Sequence, residues 1–149
     1  MANRTYRGPS DRQPKTVSNK TVTGALLPCT FVTEGATALA AATAPGPMVR
    51  LLSDRDFYGN AITATTEPLF TPYVSGETGV AYVLEPGQRY QVAVAAATYT
   101  FGQELTIDAA GRAAAAASTK LVVAYSLTAG AKSAGDLIDV EIALPYVKA

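Results

Sequence analysis

A chain of 149 residues with 48% apolar side chains suits one domain, or one domain plus a tail, around a real core, and this excludes a disordered chain. It has no histidine, no tryptophan and a single cysteine, so few of the groups that acid/base, nucleophilic or metal chemistry needs are present. Twelve basic residues balance twelve acidic ones, which speaks against a general nucleic-acid binder and against a strongly acidic solvating protein.

The balance hides an asymmetry. Residues 1–20 hold Arg4, Arg7, Arg12, Lys15 and Lys20 against Asp11 alone, a net of +4 that leaves −4 on residues 21–149. With Pro9, Pro14 and almost no aliphatic side chain, this segment is predicted to be an extended basic arm, disordered when the protein is free and ordered when docked. The candidate docking residues are Arg4, Tyr6, Arg7, Arg12, Lys15 and Lys20. The start Met-Ala-Asn-Arg-Thr-Tyr-Arg has no apolar stretch of the secretory kind, and Cys29 has no intrachain partner, so synthesis in a reducing cytosol is expected. No run approaches the roughly 18 apolar residues of a membrane helix, and a soluble protein without membrane contact is expected. The sequons at Asn3 and Asn19 read as chance matches.

From Thr21 the chain turns into short β-type runs separated by Gly, Pro, Asp and Ser. The run from Thr21 to Val32 is broken by Gly24 and Pro28, which suggests an edge, a bulge or a bend. Small residues over 36–43 are the place for a short helix, and Met48 to Leu52 starts another strand. Gly79 to Glu85 and Arg89 to Ala96 flank Pro86-Gly87, the signature of two strands joined by a turn. Leu105-Thr-Ile and the turn Asp108-Ala-Ala-Gly111 follow. Ala113 to Ala117 has high helix propensity, yet it is too short for a helix alone and lies between strand-like segments, so a strand is favoured. Leu121 to Leu127 is an apolar run, with Leu121 and Val123 expected inside. In Leu137 to Leu144, Ile138, Val140, Ile142 and Leu144 face one way while Asp139, Glu141 and Ala143 face the other, the best strand signal in the sequence. Tyr90, Val92 and Val94 complete the expected core.

The candidate chemical motifs fail on their own terms. Gly130-Ala-Lys-Ser133 echoes a phosphate-binding loop, but Ala131 stands where that loop needs Gly, so a turn is the better reading. Asp54-x-Asp56 followed by Gly59 resembles the start of a calcium loop, yet Tyr58 and Thr65 occupy ligand positions. Asp136, Asp139 and Glu141 resemble paired carboxylates, but Asp139 and Glu141 lie on the polar face of an amphipathic strand, which reads as a solvated or interface face. Cys29 lacks a histidine base and reads as a small buried residue. Most tyrosines are expected in the core, the others at interfaces.

The order of Tyr99-Thr-Phe-Gly-Gln-Glu-Leu-Thr-Ile-Asp-Ala-Ala-Gly-Arg-Ala, then Leu121-Val-Val-Ala-Tyr-Ser-Leu, then Ala134-Gly-Asp-Leu-Ile-Asp-Val-Glu-Ile resembles the capsid decoration, or cement, proteins of tailed bacteriophages over residues 79–144. In that family the apolar strand often contains Gly, where this chain has Val123-Ala124-Tyr125. The resemblance implies an all-β fold, a small antiparallel β-barrel or β-sandwich with an extended N-terminal arm and at most one short helix. It implies binding to the major capsid protein on the outer surface of a mature shell, bridging and stabilising it as a dimer or trimer, after synthesis in the bacterial host cytoplasm. It implies no catalytic residue, cofactor, metal, nucleic acid or membrane. A carbohydrate-binding adhesin or head-fibre module of a phage is the alternative, and a hydrolase using carboxylates alone comes third.

Overall fold

The computed structural model describes residues 4–54 and 68–149. Its described part is all-β, with a single 3-10 turn at Pro68–Phe70. Five strands close a barrel: β1 (Thr16–Val22), β2 (Phe31–Glu34), β3 (Ala38–Ala41), β4 (Val49–Leu52) and β5 (Thr78–Tyr82), in the order β1-β3-β2-β4-β5. The seven later strands are β6 (Arg89–Ala93), β7 (Ala97–Tyr99), β8 (Glu104–Ile107), β9 (Ala113–Ala115), β10 (Leu121–Ser126), β11 (Gly130–Lys132) and β12 (Leu137–Val147). They form a five-stranded sheet ordered β6-β12-β10-β8-β9 and a two-stranded ribbon of β11 and β7. Among these strand pairings only β1 with β3 is parallel.

Cover differs among the barrel strands: β1 is largely exposed, β4 is almost wholly buried and β5 alternates, so no single periodicity runs through them. On β2, Val32 points into the barrel with Val22, Leu39, Leu52 and Ala81, while Phe31 joins the larger core between barrel and sheet. That larger core takes Val49 and Leu51 from the barrel, Tyr90, Val92 and Val94 from the β6 region, and Leu105, Ala124, Ile138, Val140 and Ile142 from the sheet. Gly111 joins the two halves. It lies in the left-handed region (φ 73°), and a Cβ there would stand 2.6 Å from the Phe31 carbonyl oxygen. The Phe31 amide in turn donates to the Gly111 carbonyl at 2.8 Å. Gly79 serves the barrel interior in the same way, since a Cβ would lie 2.5 Å from Val22 Cγ2.

Several expectations hold. Ala113 to Ala115 is strand β9, paired with β8, and Asp108 closes the intervening turn by accepting the Ala110 and Arg112 amides at 2.8 and 3.0 Å. Others are corrected. The helix expected over 36–43 is strand β3: the stretch is too short to nucleate a helix alone, and β1 and β2 occupy both its edges. Pro86-Gly87 does turn the chain, with the Gln88 amide donating to the Glu85 carbonyl at 3.3 Å, but it carries the chain from barrel to sheet and does not pair β5 with β6. Gly130-Ala-Lys is ribbon strand β11, paired with β7.

Two core assignments also shift. On β10 the buried residues are Val122, Ala124 and Ser126, with Leu121 and Val123 only partly covered. A one-residue change of phase exchanges the two faces of a strand. On β12 the expected alternation holds for Ile138, Val140 and Ile142, but Leu144 is 75% exposed. Its register against β10 jumps from Ala124↔Ile142 to Val122↔Tyr146, a bulge that inserts extra residues around Pro145 and turns Leu144 outward.

Candidate protein-docking site

The N-terminal segment is not the loose arm that its composition suggests. Residues 5–7 lie along the outer edge of β6: the Gln91 amide donates to the Thr5 carbonyl at 2.7 Å, the Arg7 amide donates to the Arg89 carbonyl at 2.9 Å, and Tyr6 bridges Tyr90 antiparallel. This strap covers what would otherwise be an open sheet edge. Thr5 is fully buried, its hydroxyl 3.4 Å from Cys29 Sγ. The Tyr6 ring packs tilted against Tyr90 and Tyr82 with centroids 5.6 and 6.3 Å away, and its hydroxyl donates to the Arg12 carbonyl at 2.7 Å. A Cβ on Gly8 would meet the Tyr6 hydroxyl, so a larger residue there would push that ring aside.

The strap continues into the barrel. Pro14 is buried, the Val83 amide donates to the Lys15 carbonyl at 2.8 Å, and β1 then pairs with β5 from Thr16↔Tyr82 onward. The expected boundary between residues 20 and 21 therefore falls inside barrel strand β1, with Thr21 and Val22 beyond it. The low aliphatic content misled, because backbone pairing and one aromatic cluster hold the segment, not an aliphatic core of its own.

The six candidate residues separate into two groups. Tyr6, Arg7 and Arg12 line one groove of about 590 Å³, together with Gln13, Glu85, Gln88 and Arg89. Arg4 is exposed ahead of the strap, Lys15 is exposed at the barrel entrance, and Lys20 donates to the Ala36 carbonyl at 2.6 Å on the barrel wall. Arg7 and Arg89 also line a neighbouring hollow of about 460 Å³ with Phe101, Leu127 and Asp139. Sequence reasoning missed Arg89 and Phe101. The signal for Phe101 was local: it stands at the tip of the turn Thr100-Phe-Gly-Gln103 and is 73% exposed.

Asp139 and Glu141 face this same region, and each carries a cation. Arg7 Nε bonds Asp139 Oδ1 at 3.1 Å and Arg89 Nε bonds Glu141 Oε1 at 3.3 Å. Asp136 accepts the Ser133 amide at 2.8 Å, so the three carboxylates have structural partners. The interface-face reading of β12 fits this placement.

Elsewhere the titratable groups are structural. Burial pushes the Cys29 thiol up to about 12, so it stays protonated and unreactive at neutral pH. Its backbone sits in the left-handed region at φ 66°. Burial, with Tyr82 and Tyr6 nearby, likewise raises the Tyr90 hydroxyl. At the far end of β12, Tyr146 donates a hydrogen bond to Glu104 Oε2, which raises the tyrosine and lowers the carboxyl, while Lys148 pairs with Glu104 at 3.4 Å. Among the described residues no group of three or more Cys, Asp or Glu side chains is gathered as a metal site. The calcium-loop reading at Asp54 to Thr65 extends outside the described residues.

No protein-family model matches the sequence, and no curated protein matches it. Among solved structures, the chain is similar to the N base of head fiber gp8.5 in bacteriophage phi29, with a TM-score of 0.52 and 13% sequence identity over 91% of this chain and 100% of that one. At that identity the likeness establishes the shared fold.

Proposed function

We propose that this chain is a structural, non-enzymatic protein of a bacteriophage virion that sits on the outer surface of the head. The observation that carries the reading is a correspondence of fold running through nearly the whole chain and all of a head-fiber base. The resemblance of residues 79–144 to capsid decoration proteins supports the same placement independently. The major capsid protein is the proposed partner, and the chain is made in the host cytoplasm and added to the finished shell. Two or three copies associate in the bound state. A sequence with no histidine and a single, buried cysteine suits a protein whose work is contact.

Within this reading two roles compete. Bridging capsid subunits to stabilise the head follows from the decoration-protein resemblance, whereas anchoring a fibre follows from the fold likeness, which is to the base of a fibre. The test is to incubate the purified chain with mature shells of the phage that encodes it, sediment the shells, and image them. Saturable binding with density on the outer surface is expected, and a release of shells from heat-induced disruption identifies the bridging role. Failure to cosediment with any maturation state of the shell rejects the proposal.

A further inference from the structure

We infer that a small apolar hollow at the junction of barrel and sheet seats one bulky apolar side chain of a partner protein, with an adjacent Glu or Asp of that partner meeting Arg112. This hollow shares no lining residue with the groove beside the strap.

Distant parts of the chain build it: Leu26 and Leu27 from the loop after β1, Leu69 and Phe70 from the 3-10 turn, and Leu137 from the start of β12. Its volume of about 180 Å³ sets the size of the guest. Small-molecule sites run to roughly 300–1,000 Å³, whereas a cavity of roughly 150 Å³ accepts a benzene ring, so this one suits a single leucine or phenylalanine side chain. Leu69 is fully buried, but Leu27 and Phe70 are 43% and 57% exposed. The fold leaves these two large apolar groups uncovered at the hollow, and an inserted side chain would cover them. The walls are fixed before any partner arrives. The Tyr73 amide donates to the Leu26 carbonyl at 2.8 Å, the Ala93 amide to the Cys29 carbonyl at 3.0 Å, and the Gly135 amide to the Val94 carbonyl at 2.9 Å.

The charge at the rim selects what accompanies that side chain. Among the described residues Arg112 is the one charged residue in the lining, and its guanidinium has no hydrogen bond or ion pair to any of them. The carboxylates nearest to the lining in sequence stand outside it. Asp108 accepts the Ala110 and Arg112 amides and Asp136 accepts the Ser133 amide, each within its own turn. The hollow thus carries one positive charge with no paired carboxylate, which favours an anion beside the apolar guest. A chain-terminal carboxylate is ordinarily captured by free backbone amides, yet the amides of Ala93, Ala110, Arg112 and Gly135 already have internal acceptors. A side-chain carboxylate next to the apolar residue is what a lone guanidinium suits.

The partner's chemistry follows from the hollow alone; a capsid origin for the segment rests on the function proposed above. The test titrates the isotope-labelled full chain with the blocked peptide acetyl-Gly-Ser-Leu-Glu-Ser-Gly-amide and follows the backbone amide resonances. Those of Thr30, Ala110 and Arg112 shift saturably. Replacing the peptide's Leu by Ala weakens binding by about tenfold or more, and replacing its Glu by Gln weakens it by about three- to fivefold. Arg112→Gln removes the difference between the Glu and Gln peptides. Ala110→Phe, at an exposed lining position, plugs the hollow and abolishes binding, and both variants melt with the wild type. The absence of saturable shifts overturns the proposal, as does equal binding of the Leu and Ala peptides or of the Glu and Gln peptides. Tighter binding of a peptide that ends in a free Leu carboxylate reassigns the hollow to chain termini and also overturns it. Self-association of the chain that Ala110→Phe abolishes assigns the hollow to a second copy and rejects it equally. Shell cosedimentation separates the two claims. Shells that bind wild type and both variants alike leave the head-protein reading standing and remove this site; if no shell binds the wild type, the head-protein reading fails while the peptide titration still decides the site.

Discussion

Replacing Tyr6 with Ala tests whether the strap is part of the fold. The ring makes two tilted aromatic contacts, to Tyr90 and Tyr82, and its hydroxyl closes the strap onto the Arg12 carbonyl. Each aromatic contact contributes about 0.5–1.5 kcal/mol beyond area burial, and the hydroxyl bond about 1 kcal/mol. Because Tyr6 is only partly buried, the total falls below the roughly 3–5 kcal/mol lost on truncating a fully buried aromatic, and about 2–3 kcal/mol is expected. For a chain of this size that corresponds to a melting temperature lower by about 5–10 °C. Tyr6→Phe, which keeps the ring and removes one bond, loses about 1 kcal/mol at most. Amide exchange gives a local check. The Gln91 amide, whose acceptor is the Thr5 carbonyl, exchanges faster in Y6A, while amides of β10 and β12 change only by the global amount. If Y6A melts with wild type and the Gln91 amide exchanges no faster, the strap is a frayed terminus and the reasoning fails.

The remaining predictions follow from the same contacts. Deleting residues 1–13 removes the strap but leaves the barrel closed, whereas deleting 1–20 removes most of β1, opens the β3 and β5 edges and yields aggregated or unfolded protein; circular dichroism and gel filtration distinguish them. Gly111→Ala forces a side chain against the Phe31 carbonyl at a left-handed backbone position and destabilises by about 2 kcal/mol or more in urea unfolding. Val140→Asp places a charge in the fully buried core and destabilises by about 3–5 kcal/mol, with loss of the folded state as an accepted result. Cys29 has its thiol pKa raised in the folded state from 9.0 to about 12, so its contribution is complete below pH 9 and is lost as pH rises from 9 toward 12. Wild-type stability then falls more steeply across that alkaline window than that of Cys29→Ala, and native Cys29 resists thiol reagents until the protein is denatured; equal slopes for the two proteins contradict this.

What the sequence made legible was the local part of the fold. Alternation in β6 and the first half of β12 marks residues buried on one face, and Asp108 with Gly111 marks a turn whose chemistry lies within five residues. The misses share a cause: each depends on partners distant in the chain. Pro86-Gly87 specifies a turn but not whether the flanking strands share a sheet. The alanines of 38–41 carry no strand propensity, and pairing with β1 and β2 decides their state. In Leu121 to Ala124 apolar residues occupy both phases, so the sequence cannot say which set faces inward until the bulge near Pro145 fixes the register. The candidate site was half legible. Charge singled out Arg7 and Arg12, but Arg89 joins them only because the strap pairs with β6 more than eighty positions later.

That long-range pairing changes how the N-terminal cations can act. A disordered arm that orders on docking gives up about 1–2 kcal/mol of backbone entropy for every residue it fixes, so its few ionic contacts would leave little net affinity. A strap already bonded to Gln91 and Arg89 has made that payment during folding, so any contact its arginines make carries no further backbone cost. Exposed ion pairs are individually weak, about 0–1 kcal/mol, which by itself would argue against a specific site here. The pairs of Arg7 with Asp139 and of Arg89 with Glu141 are of this exposed kind, so the order of the segment comes from its backbone bonds to β6 and from the packed Tyr6 ring. Tyr6, which contributes no charge, thus sets where Arg7 and Arg12 stand by holding the strap in place.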